Sequence, residues 1–223
     1  MSISGHQPPV AAPVSHSETP EHDWSAAKVR IWPSLRPAGT HGAHLDDLTE
    51  ERLLHEGTKK RALPVVDPGP AGLSIVYVLR EPAYDVVVNA EHLLTWAVDA
   101  QTLRDTAMGN LRTWSESAPW TDELADGRHI VSSDTGDGGD AARILLPEVR
   151  QHLAGACGGP GRVLVALPDR DLLIAGSLLP GDESFAEQFA AFAADVYDAA
   201  HEPIERHLFE LVGAECELAQ FGG

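Results

Sequence analysis

A chain of 223 residues, 43% apolar and 22% charged, is long enough for one domain of common size plus a tail and too short for two comfortable ones. Lys and Arg total 16 against 34 Asp and Glu, a formal charge of −18 that repels phosphate backbones and anionic lipid and so argues against nucleic acid and membrane surfaces as partners. No apolar run is long enough to span a bilayer, and the first residues lack both the basic start and the hydrophobic stretch of a secretory signal.

Residues 1 to about 22 carry four prolines and little that is bulky, and are expected to be disordered or extended. The following WSAAKVRIWPSLRP interleaves Trp24, Val29, Ile31 and Trp32 with Lys28, Arg30 and Arg36. Two tryptophans are costly to leave in water, so this segment either docks on the protein's own acidic domain or serves as a linear motif for another protein. Residues 1–45 are accordingly read as a flexible tail, 46–215 as the domain and 216–223 as a C-terminal tail. DDLTEERLLHEG (46–57) reads as a short helix with acids at its start and Gly57 as its stop.

LSIVYVL (73–79) and YDVVVNA (84–90), separated by a turn containing Pro82, predict a hairpin whose first strand is apolar on both faces. Asn89 predicts a cap for a short helix through Trp96. Asp99 predicts one for a longer helix with Leu103, Ala107, Leu111 and Trp114 on its apolar side. RHIVS (128–132) reads as a strand, and RVLVAL (162–167) and LLIAGSL (172–178) as two more joined through Pro168–Asp171. In the helix of 182–200, Phe185, Phe189, Phe192, Val196 and Ala200 form an apolar stripe that predicts core, with Asp182, Glu183 and Glu187 suiting its positive N-terminal end or a Ser184–Glu187 capping box closing it. HLFELV (207–212) fits an antiparallel strand. Hairpins beside helices, rather than strict alternation, predict an α+β fold with a mostly antiparallel sheet and helices packed against it.

The stretch most like a site is SDTGDGGDAARILL (132–145). Asp134, Asp137 and Asp140 recur every three residues, but a calcium loop starting at Asp134 would place Leu145 where a bidentate Glu is needed. A phosphate cradle wants a lysine, which is absent, and the aspartates would repel the anion. Pro147 forbids one continuous helix from Ala141 to Ala154, so the parse is a tight turn, a short ARILL segment, and a new helix opening at Pro147. Arg143 is then placed to pair with Asp137, Asp140 or Asp171, latching the turn.

DGGDAARIL (137–145), VALPDRDLLIAG (165–176) and ALPVV (62–66) together resemble landmarks of the YtpQ-like bacterial family, a domain of unknown function. The resemblance runs in order from about 62 to 211 and takes in the Ala107-x-x-Asn110 region and the late Phe-rich helix. The family pattern has serine before the arginine, where this chain has Ala142, so a nucleophile at that position is not open to it. The resemblance implies a cytoplasmic bacterial α+β protein and no particular reaction.

Other chemistry is thin. The 11 histidines show no HExxH pattern, Cys157 and Cys216 cannot build a disulfide framework and are expected as reduced thiols, and no nucleophile elbow, dinucleotide fingerprint or P-loop occurs. No cofactor is called for. The favoured expectation is a non-enzymatic protein-interaction or regulatory domain that welcomes a basic protein partner, with Asp137, Asp140, Arg143, Asp169 and Asp171 as the candidate contact site. Two alternatives stay open. One is a metal-assisted hydrolase using Asp134, Asp137 and Asp140 with Asp169 or Asp171. The other is a small-ligand module in which Arg143 holds an anion.

Overall fold

In a computed structural model, residues 19–49, 61–125, 127–159, 161–213 and 215–220 are described. Two sheets and their helices build the α+β fold. The first sheet has the order β1 (Ile31–Arg36), β4 (Ser74–Arg80), β3 (Val65–Pro68), β2 (Ala43–His44), and β5 (Asp85–Val87) also pairs with β4. Only the β2–β3 pair is parallel among these. The second sheet is antiparallel throughout, in the order β11 (Glu215–Leu218), β10 (Phe209–Val212), β8 (Arg162–Asp169), β9 (Leu172–Leu178), β7 (Arg128–Ser133), β6 (Thr121–Ala125).

Capping chemistry sets the helices as the sequence predicts. Asn89 accepts from the amides of Glu91 and His92, and the His92 ring Nδ1 accepts from the Asn89 amide, starting α2 (Ala90–Trp96). Asp99 accepts from the Thr102 amide at the head of α3 (Ala100–Ser117). Pro147 opens α4 (Pro147–Cys157). Asp182, not a Ser184 box, caps α5 (Glu183–Ala199) by accepting from the Phe185 amide.

Burial explains the layering. β8 reads as a continuous apolar run because both its faces are covered. Val163, Val165 and Leu167 join Leu111 of α3 and Val149 and Leu153 of α4 in the central core, to which the first sheet adds Leu35. Leu164 and Ala166 face Ala186, Phe189 and Ala193 of α5. Gly176 of β9 lies under α5, where a Cβ would come within 2.9 Å of the Phe185 ring. Phe189 is buried as expected, but Phe192 is 42% exposed, so the aromatic stripe is core at one end only. On the first sheet, Asp67 binds Arg104 of α3 through two bonds (2.7 and 2.6 Å) and accepts from Tyr77 at 2.6 Å, tying sheet to helix.

The tail boundary moves. α1 (Trp24–Ala27) and β1 lie within the fold: β1 makes six register pairs with β4 and buries Ile31 and Leu35, a gain that a free segment would forgo. The Trp24 ring packs on Trp96 at 5.5 Å, whose indole donates to the Pro20 carbonyl, and Asn110 donates to the carbonyls of Lys28 and Ile31. Residues 215–218 form an edge strand rather than a tail because their backbone completes the pairing of β10. Of the helix expected over 46–57, residues 45–47 form a single 3-10 turn, and positions 50–57 lie outside the described residues.

Candidate functional site

The acidic turn leaves the end of β7 and returns the chain into a 3-10 turn over Ala141–Leu145 before α4. Gly136 and Gly138 both take left-handed backbone (φ 73° and 72°), which is why glycine stands there. Asp140 is fully buried and makes no cap; its two oxygens accept from the hydroxyls of Ser133 and Thr135 (2.8 Å for the latter). The Ser133 hydroxyl accepts in turn from Arg143 Nη1 at 2.7 Å. Arg143 therefore reaches Asp140 through a serine, not by the direct carboxylate pairing expected from the sequence. Its other donors reach the end of a helix.

That end is the C-terminus of α3, whose last carbonyls lack intrahelical donors. Arg143 supplies them: Nη2 donates to the carbonyls of Ser115 (3.0 Å) and Ala118 (3.4 Å), Nη1 to that of Pro119 (3.2 Å), and Nε to the Ser115 hydroxyl (3.0 Å). With the Ser133 bond, all five N–H groups are used. The guanidinium carbon lies 3.6 Å from the centre of the Trp120 ring. Burial lowers the Arg143 pKa to about 10, with Asp140 opposing, so the group stays charged at neutral pH. A small hollow of about 220 Å³ opens over this residue, lined also by Arg112, Glu148 and His152, yet its floor presents no unused Arg143 donor.

The other expected residues sit nearer the surface. Exposed Asp137 accepts from the Trp114 indole at 3.3 Å. In the β8–β9 turn, Asp169 accepts from the Asp171 amide at 2.8 Å. Burial raises the Asp171 carboxyl above its ordinary pKa, against the pull of Arg170 and the Gly138 amide. Arg170, which the sequence did not single out, is the second latch. Its guanidinium lies against Gly138, its carbonyl accepts from the Ala141 amide at 3.1 Å, and its Nη1 binds Asp85 (3.0 Å) and Glu202 (2.8 Å). Arg80, also unremarked in the sequence, lies 3.6 Å from the centre of the Trp32 ring, and Trp32 meets Trp114 edge-on at 5.6 Å. Of the two fates open to Trp24 and Trp32, docking or a linear motif, both are packed on the chain's own fold.

The structure therefore divides the candidate set. Asp140 and Arg143 close on one another through Ser133. Asp137 stays at the surface against Trp114, and Asp169 and Asp171 flank Arg170 in the β8–β9 turn. Asp134, Asp137 and Asp140 do not gather: among the described residues no three His, Cys, Asp or Glu side chains stand close enough to hold a metal ion. Cys157 and Cys216 are buried free thiols whose pKa values burial pushes up to about 11 and about 12. Among the described residues no helix is long and apolar enough to cross a membrane. No protein-family model, curated protein or solved structure matches this chain.

Proposed function

We propose that this chain is a non-catalytic protein-interaction or regulatory domain on a YtpQ-like frame, working in a bacterial cytoplasm on a partner of basic character. The observation that carries the reading is the saturation of Arg143: with five N–H groups donated to the protein, it holds architecture together and has none left for a substrate or anion. Asp140 is likewise engaged at both oxygens. The net charge of −18 supports a basic partner over nucleic acid, and the buried thiols suit a reducing compartment.

A peptide-display selection on the immobilised full chain tests the reading, with turnover of ester and phosphodiester substrates followed in parallel under magnesium, manganese, calcium and zinc. Enrichment of sequences combining Lys or Arg with apolar residues, without metal-dependent turnover, is expected. Turnover that disappears in Asp137→Asn or Asp140→Asn would replace the reading with a hydrolase.

A further inference from the structure

A groove of about 710 Å³ runs beside the N-terminal half of α5, a size within the usual range of binding clefts, with Leu178, Leu179, Pro180, Ala186 and Ala190 among its walls. Its charged members are unequal. Arg162 is clamped by both carboxylate oxygens of Glu210 and donates to the Gln220 carbonyl. Asp182 caps α5 and pairs with Arg128. Glu183 and Glu187 are exposed, lie one helical turn apart, and have no ion pair among the described residues. The groove is thus an aliphatic trough with one unneutralised acidic wall.

That combination selects its occupant. An anionic compound would meet carboxylates and an arginine already bound twice over. A second copy of the chain brings another −18, and the chain's own first eighteen residues contain no lysine or arginine. A helix with an apolar face fits the trough. Leu179, Pro180 and Ala190 keep apolar surface open to its apolar face, and lysine or arginine four apart on its flank faces Glu183 and Glu187. We propose that the groove along α5 is the docking site for a basic amphipathic helix of a partner protein. The inference rests on the reading of the chain as an interaction domain and names the surface and the partner's chemistry.

The test titrates the full chain into a labelled Leu/Lys amphipathic peptide of about 16 residues, long enough for helix formation, and into a scrambled peptide of equal composition. Glu183→Lys/Glu187→Lys is expected to weaken the amphipathic peptide by at least about ten-fold, whereas Glu116→Lys/Glu123→Lys, the same charge change on exposed sites elsewhere, changes it little. Circular dichroism melts confirm that both variants remain folded. Equal weakening by the two variants, or equal binding of the scrambled peptide, means diffuse attraction and overturns the groove. Peptides from the display selection that ignore Glu183→Lys/Glu187→Lys overturn the groove and leave the interaction reading standing. If no peptide of any kind is selected or bound, both fall.

Discussion

Arg143 illustrates how a residue can look like chemistry in a sequence and act as a cap in the fold. Its planar fork meets three main-chain carbonyls and two serine hydroxyls at once, a geometry that the single ammonium of lysine cannot copy. Arg143→Ala leaves Asp140 buried without its counter-charge and is expected to cost about 3–5 kcal/mol, and Arg143→Lys is expected to recover only part of it. Urea denaturation checks this, and a midpoint equal to wild type in both variants would refute the capping role. Asp137→Asn, on an exposed side chain, is expected to stay within about 0.5 kcal/mol of wild type. The buried thiols carry a pH signature. Cys157 and Cys216 hold their protons in the folded chain to about 11 and about 12, whereas the unfolded chain releases them near 9.0. Stability is therefore complete below pH 9 and falls as pH rises through 11 to 12. Tyr77, raised by burial and by Asp67, acts in the same direction. Denaturant midpoints at pH 8 and pH 10.5 should separate more in wild type than in Cys157→Ala/Cys216→Ala; parallel profiles would count against it.

At the scale of elements, α5 offers the sharpest contrast. Phe189 is 6% exposed and packs on β8, so Phe189→Ala is expected to cost about 3–5 kcal/mol. Phe192, one turn on and open to solvent, should cost much less, and calorimetric melting of the two variants decides the matter. Their spacing marks both as core, because spacing reports which side of a helix is apolar, not how far the sheet beneath it extends. Helix starts were legible, since Asn89, Asp99 and Pro147 act through bonds or ring geometry a few residues away. Several strands were not, β1 and β6 among them. β1 hides behind Pro33, Ser34 and flanking arginines that look like tail, and β6 is a polar edge strand with no alternation to reveal it. Likewise the turn's glycines and the pairing of Arg143 with Asp140 were half-legible: the residues could be named, but the bridging role of Ser133, in the same stretch, does not show in spacing, and the carbonyls at the end of α3 come from earlier chain.

For the whole molecule, the two sheets share one interior. Leu35 of β1 and Leu73 before β4 sit in the same cluster as Val165, Phe209 and Leu153, and α3 touches both halves. A single cooperative transition is expected by fluorescence and by circular dichroism. Removing residues 1–36 should abolish it, because β4 then loses its antiparallel neighbour β1 and α3 loses the strand it packs on; a truncated chain that still melts in one step would contradict this account. Gly176 has a wider reach than its size suggests. Since no atom intervenes between its Cα and the Phe185 ring, the hydrogen at that position acts as the thinnest available shim between helix and sheet. A methyl added there would press on the tip of the Phe185 ring, which must swing aside, so the seating of α5 on the sheet would change without altering any residue that a visitor touches.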